Sequence, residues 1–470
     1  MADKHDQPGR APRLAVAGWG RYPRGVAEVW RPEKLSELRT AVTTAKKPIL
    51  ARGLGRAYGD AALNDAGSLI ESTRLNRMLD FDPQSATLRC EAGVTFAEIL
   101  ETFVPRGLFP PVTPGTKFIT LGGALAADIH GKNHHCDSSI SKHVRAFTLM
   151  GAGGEIKRCS REENSDLFWA TLGGMGLTGV IVELELKLKR IESVYLHCES
   201  LALTDVDRAL EVFAEYDRRY EYSVAWVDCA APAKQLGRSI LMFASFACVD
   251  RLPRQAAHHP LSFEPRQPLK IPFDLPRFAL NPMTMRGFNA LYYHLHRRSG
   301  RERLIDIERF FYPLDRLANW NRLYGRRGFA QYQCVVPLAE GRAGIIELLD
   351  ELRRSRVGSS LAVLKQFGPQ EGMLSFPMPG YTLAMDFAVR DGLSQMMERL
   401  DKIVLKHGGR VYLAKDAFAR PQMVRQMYPN VERWQAIKLS ADPECAFSSQ
   451  LSRRLNLDPD RRHDDVTAHA

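Results

Sequence analysis

The sequence predicts an α+β protein of two domains, and three observations predict it. Short β-branched runs alternate with helical stretches from about residue 14 to 190. A second set of strands with two amphipathic helices occupies about 195 to 405. The chain has 470 residues at 45% hydrophobic content, which is more than one core usually holds.

In the first domain KPILARG, GSLIES, ATLRCEAG, VRAFTLM and TGVIVELELKLK read as strands and TFAEILETFVPRG as a helix. In the second, YSVAWVD, SILMFASFA, FAQYQCVVP and YTLAMDFAV read as strands, and GRAGIIELLDELRRS and GLSQMMERLDKIVLKHG as helices. The chain from about 408 to 456 is expected to return to the first domain. The uncharged run Leu167–Val182 reads as a buried turn and strand, being too short and too glycine-rich to cross a membrane. Seven prolines between Asp250 and Met285 oppose regular structure, so about 250–285 reads as a mobile basic loop. Residues 457–470 are charged and poor in large apolar side chains, and read as a flexible tail.

Eight scattered cysteines with no C-x-x-C pair argue against a disulfide framework or a structural zinc. The first thirteen residues are polar and lack the apolar core of a signal peptide, so a cytoplasmic or membrane-peripheral location is expected. The net charge of +11 favours anionic partners. Nucleic acid is disfavoured, because no recognised binding module accompanies the charge.

Three glycine-rich segments carry the chemistry. Arg52–Asp60, RGLGRAYGD, follows an apolar strand, and its glycines let backbone N–H groups turn toward a phosphate. Pro114–His135 runs through small residues into the polar knot HGKNHH, which suits a flat or anionic ligand. Asp166–Ile181 adds a third. The histidines His130, His134, His135 and His143 lack a nearby Cys or Glu at a familiar ligand spacing, so no metal is expected.

In this order and spacing the segments resemble the FAD-binding domain of the vanillyl-alcohol-oxidase-like flavoproteins, over about residues 14–190. HGKNHH, LKQFGP (364–369), LSFPMPGYT (374–382), DFAV (386–389) and GGRVYLAKD (408–416) extend the match across almost the whole chain. They resemble the decaprenylphosphoryl-β-D-ribose 2-oxidase family, the flavin subunit of a two-protein epimerase. The resemblance implies a substrate domain on an antiparallel sheet. It also implies oxidation of the ribose 2-hydroxyl of a polyprenyl-phosphate sugar to a ketone, which an NADH-dependent short-chain dehydrogenase partner then reduces to the arabinose epimer.

Residue by residue, it places Gly53, Leu54, Gly55, Arg56, Ala57 and Tyr58 on the FAD pyrophosphate loop. Gly115, Thr116, Gly122, Gly123, Ala127, His130 and Gly131 would run along the flavin, with Val180 or Ile181 beside the adenine half. The substrate side would hold His130, Lys132, Gln331, Gln333, Lys365, Tyr381, Tyr412 and Lys415. Covalent members of the superfamily often carry a histidine where this chain has Arg56, so non-covalent FAD is expected. Ala384 stands where mycobacterial members carry a cysteine.

Oxidising a carbinol requires a base for the hydroxyl proton or a cation for the developing alkoxide. Lys415 serves in either state, with Tyr412 as a relay on the same strand if suitably placed and His130 nearby. Alternatively, Lys415 makes a salt bridge and Tyr412 packs a sheet. The basic stretch 250–303 suits lipid contact, or is a solvated loop followed by an ordinary amphipathic helix. Two other functions stand beside the leading one: an FAD-dependent alditol or aldonolactone oxidase on a soluble substrate, and a flavin-free protein that binds glycolipid or anionic membrane.

Overall fold

The computed structural model describes residues 11–266, 268–276, 281–297, 302–355, 359 and 361–458. Two larger sheets and the short pair Leu108–Phe109 with Lys189–Arg190 form the described N-terminal half. In the smaller of the two sheets, the strands run in the order Arg13–Ala17, Arg24–Trp30, Ser68–Glu71, Ile49–Arg52, and Ser68–Glu71 lies parallel to both its neighbours. The larger is antiparallel, in the order Met78–Asp82, Thr87–Glu91, Val180–Lys187, Val144–Met150, Ile156–Ser160. Helix Phe96–Phe103 starts at a reciprocal cap, the Glu98 amide donating to Thr95 Oγ1 and Glu98 Oε2 accepting from the Thr95 amide. Its Phe96, Ile99, Leu100 and Phe103 recur at helical spacing and are buried.

The C-terminal half is built on an eight-stranded antiparallel sheet, in the order Arg303–Asp306, Tyr195–Leu203, Ser239–Phe246, Tyr222–Val227, Ala362–Phe367, Gly380–Ala388, Phe329–Pro337, Arg410–Val411. Because side chains alternate along a strand, each strand addresses two layers. Tyr332, Cys334, Leu383, Met385 and Phe387 point to one face, where they share a core with Leu348 of helix Gly341–Ser355 and Leu400 of helix Leu393–Lys406. Gln331, Gln333, Lys365, Ala384 and Asp386 occupy the intervening positions and point to the other.

The chain then returns to its first half. Phe447 pairs in parallel with Ile49, Trp434 donates its indole N–H to the Ala170 carbonyl (2.8 Å), and Arg454 grips buried Asp60 through two nitrogens (both 2.8 Å).

Three expectations change. Leu167–Val182 begins as a helix, Ser165–Thr171, with Leu167, Phe168, Ala170 and Thr171 packed inward; the chain turns only afterwards, at Gly173 and Gly176 with positive φ. The stretch 250–285 carries little regular structure but is anchored: Leu269–Lys270 pairs with Leu317–Ala318, and Asp274 binds Arg21 (2.6 Å) and Arg322 (3.2 Å). Gln267 and residues 277–280 of that stretch lie outside the described residues. At the tail, Leu457 is buried and Asp458 accepts from the Ser448 and Ser452 hydroxyls, while 459–470 lie outside the described residues.

Candidate active site

The first glycine loop leaves the Ile49–Arg52 strand and is fixed from behind. Arg52 folds back to donate to the carbonyls of Ala62 (2.7 Å) and Ala17 (2.8 Å). The carbonyls of Ala57 and Tyr58 accept from Trp19 and Gly20, and the Tyr58 amide donates to Ala414. Among the described residues no backbone carbonyl takes the amides of Leu54, Gly55, Arg56 or Ala57, which leaves donors for an anion. A methyl group at Gly53 would lie 2.1 Å from Thr120 Oγ1, and one at Gly59 would lie 1.8 Å from the Asp416 carbonyl. The loop is thus wedged between the second glycine segment and the C-terminal turn, with the Arg56 guanidinium 4.0 Å over the Trp19 ring.

In the second segment, Thr120 caps the short helix Leu121–Ala126, and Gly122 approaches Ala92 closely enough that a methyl would come within 2.9 Å of its Cβ. Gly115 and Gly123 are exposed, and a side chain at Gly115 would meet nothing within 4 Å. Thr116 and Ala127 are half-buried along the same segment. Open backbone beside a phosphate cradle is the arrangement a long dinucleotide requires, so the residues present fit FAD. Ile181 lies deep in the five-stranded sheet beside Leu149, on its apolar side.

His130 ends this segment and enters the polar cluster. Gln333 donates its amide to His130 Nε2 (3.0 Å), and Lys365 Nζ lies 3.4 Å from His130 Nδ1 and from the Gly131 carbonyl. Burial, then Lys365, holds the His130 imidazole well below its usual pKa, so the ring is neutral. Lys132 donates to the Phe310 carbonyl and sits 4.3 Å over the Phe310 ring. The other histidines diverge, His134 toward the Gly368 amide, His135 toward the Tyr220 carbonyl and His143 toward the Asp137 carbonyl. Among the described residues no cluster of His, Cys, Asp or Glu is arranged to hold a metal.

Lys415 lies 3.7 Å over the Tyr58 ring, joining the first glycine loop to the turn that follows Arg410–Val411. Burial pushes its amine down to about 7, partly offset by the negative charge of Asp386. Asp386 is fully buried, accepts from Gln331 Nε2 (2.6 Å) and from the Tyr324 hydroxyl (3.4 Å), and is pushed up to about 7 by burial. Burial likewise pushes Lys132 to about 7 and Lys365 to about 8. Lys132, Lys365 and Lys415 form no ion pair with any described carboxylate, which removes the salt-bridge reading of Lys415. Asp386 escaped the sequence reading although DFAV contains it; its even spacing from Ala384 along one strand is the signal that would have placed both on the site face.

Two expectations fail on geometry. Tyr381 is an odd number of residues from Ala384 and so points to the helical layer, packing against Phe213 and filling the space above Gly341. Tyr412 and Lys415 do not share a strand: pairing ends after Arg410–Val411, and the Lys415 amide bonds the Tyr412 carbonyl (2.9 Å) in a tight turn. The Tyr412 ring does reach the site, 5.4 Å from His130, but its hydroxyl donates to the Ala127 carbonyl (2.8 Å).

A glycine loop whose amides no described backbone carbonyl takes, an open glycine track and half-buried lysines around a neutral histidine suit a flavin-dependent oxidoreductase, and the chain's relatives agree. Residues 23–160 match the FAD binding domain family and residues 382–455 the D-arabinono-1,4-lactone oxidase family. The chain is 37% identical over 451 residues, 94% of its length and 97% of the relative's, to a decaprenylphosphoryl-beta-D-ribose oxidase of Mycolicibacterium smegmatis. It is 21% identical to an L-gulono-1,4-lactone dehydrogenase of Mycobacterium tuberculosis, over 93% of this chain and 98% of that one. A Mus musculus L-gulonolactone oxidase is 28% identical over 34% of this chain and 36% of its own. The protein is an FAD-dependent oxidoreductase with the vanillyl-alcohol-oxidase-like fold. Within that class the chain belongs to the decaprenylphosphoryl-β-D-ribose oxidase family.

Proposed function

We propose that the enzyme oxidises the ribose 2-hydroxyl of a polyprenylphosphoryl-β-D-ribose to the 2-keto sugar, with an NADH-dependent short-chain dehydrogenase completing epimerisation to the arabinose form. The observation that carries this reading is the group of three half-buried lysines, Lys132, Lys365 and Lys415, none of them ion-paired with a described carboxylate, with Asp386 offsetting Lys415. With their amines lowered toward neutrality, Lys132 and Lys365 are driven to the protonated form when an anion joins them, and so bind it. A phosphate-linked sugar brings that anion, whereas a neutral aldonolactone does not.

Residues 14–190 with the 408–456 return form the FAD-binding unit in this reading, and 195–405 the substrate unit. Gly53 to Tyr58 cradle the pyrophosphate, while Gly115, Thr116, Gly122, Gly123, Ala127 and Gly131 line the ring system. FAD, held non-covalently, supplies the hydride acceptor. Lys415, with an amine near 7, takes the hydroxyl proton at Nζ, because a base poised near the working pH transfers protons most effectively. Gln331 and Gln333 orient the sugar, neutral His130 holds the Gln333 amide in place, and Lys132 and Lys365 bind the phosphate. Tyr412 shapes the pocket wall, its hydroxyl being committed to Ala127.

The test compares polyprenylphosphoryl-ribose with a ribose glycoside that lacks phosphate. The wild type should prefer the phosphorylated substrate through KM, and Lys365→Met should narrow that preference. Equal turnover of both sugars, unaltered in the variant, would transfer the activity to the soluble-substrate class.

A further inference from the structure

The helix Pro282–His296 carries large apolar side chains on its outward face as well as on its inward one. Inward, Met285, Asn289 and Tyr293 are buried, and Asn289 Nδ2 donates to Asp228 Oδ1 (2.8 Å), which fixes the helix to the protein. Outward, Met283 is 82% exposed, Leu295 65%, Leu291 59% and Phe288 52%. Of the eleven large hydrophobic side chains exposed among the described residues, six lie between Leu269 and Leu295, so the exposure is concentrated rather than scattered.

Charge points the same way. From Arg266 to Arg297 the sequence holds a single acid, Asp274, and that acid is already shared by Arg21 and Arg322. Arg286 and Arg297 are exposed and border the apolar side chains. Aliphatic and aromatic groups flanked by cations, with no acid on the helix, match an interface of acyl chains and anionic head groups.

The helix also sits on the face of the sheet that carries the active site. Gln333, Ala384, Val363 and Trp226 form one cross-strand row, each paired with the next, so all four point to the same side. Trp226 packs against Tyr292 of the helix at 4.6 Å. Two strand spacings, roughly 10 Å, separate Trp226 from Ala384.

We propose that the outward face of Pro282–His296 docks the enzyme on an anionic lipid bilayer, with the site's flank turned toward the membrane. Such docking suits the lipid-linked substrate proposed above but does not depend on it.

The test is flotation of the full-length, FAD-loaded protein with vesicles of phosphatidylcholine alone and of phosphatidylcholine mixed with an equal amount of phosphatidylglycerol. The protein should float with the mixed vesicles and much less with the neutral ones. Leu291→Glu with Leu295→Glu should abolish flotation, and Arg286→Gln with Arg297→Gln should weaken it by roughly fivefold per arginine. All four positions are on the surface, and an unchanged flavin spectrum would verify that each variant is folded. Absence of wild-type flotation, or equal flotation of wild type and variants, would overturn the proposal. So would a wild-type dimer in solution that Leu291→Glu with Leu295→Glu dissolves while vesicles stay unbound, since the face would then be a self-interface. None of these outcomes touches the sugar-oxidation reading, because flotation involves no sugar.

Discussion

At Lys415 three influences set the chemistry: the Tyr58 ring covers the ammonium, burial lowers its pKa, and Asp386 pulls it partly back. The sign of the pH dependence follows. Lys415 accepts a proton only when neutral, and its neutral fraction grows as pH rises through about 7, so the rate of flavin reduction by substrate should climb across that range. Asp386→Asn removes the opposite charge that stabilises the protonated amine. The midpoint of the climb should therefore move to lower pH, and the variant should keep activity on the acid side where the wild type loses it. Rapid-mixing absorbance across pH checks this, and an unmoved midpoint would mean that Asp386 does not act on Lys415.

Within single elements, the first glycine loop depends on contacts that tolerate no added atom. Gly59→Ala would set a methyl 1.8 Å from the Asp416 carbonyl, backbone against backbone, and neither partner is the free end of a side chain. The variant should purify with much less FAD, measured as the ratio of flavin to protein absorbance after desalting; full occupancy would show that the loop and the turn move together. This loop was legible in the sequence because clustered glycines after an apolar strand have a local cause. The parity of YTLAMDFAV was legible too, and following it would have excluded Tyr381 and found Asp386. The end of the Arg410–Val411 strand was not legible, since the neighbouring strand runs on to Phe329 and pairing stops only because the chain turns away between Tyr412 and Lys415.

Across the whole molecule, the C-terminal return holds the pieces together. Asp60 at the end of the glycine loop, Asp416 after the Lys415 turn and Arg454 on the last helix converge, with contacts of 2.8 Å to each carboxylate. They are separated by up to 394 residues, so no local pattern announces them, although the two-domain α+β fold class was readable from periodicity and motifs. Arg454→Ala leaves the Asp60 carboxylate buried without its partner, a loss of about 3–5 kcal/mol in comparable cases. Denaturant melts should show that destabilisation together with loss of FAD, because the same network positions the glycine loop and the turn. A drop in stability with FAD affinity intact would separate the two roles. The membrane question is likewise one of the whole molecule: no described helix is long and apolar enough to cross a bilayer.

The most direct test of the central claim is an anaerobic absorbance spectrum of the purified protein before and after adding polyprenylphosphoryl-ribose, run beside Lys415→Ala. The wild-type flavin band should bleach on addition while the variant stays yellow with its FAD bound. A wild-type band that persists with this sugar, or a variant that bleaches as fast as the wild type, would contradict the account.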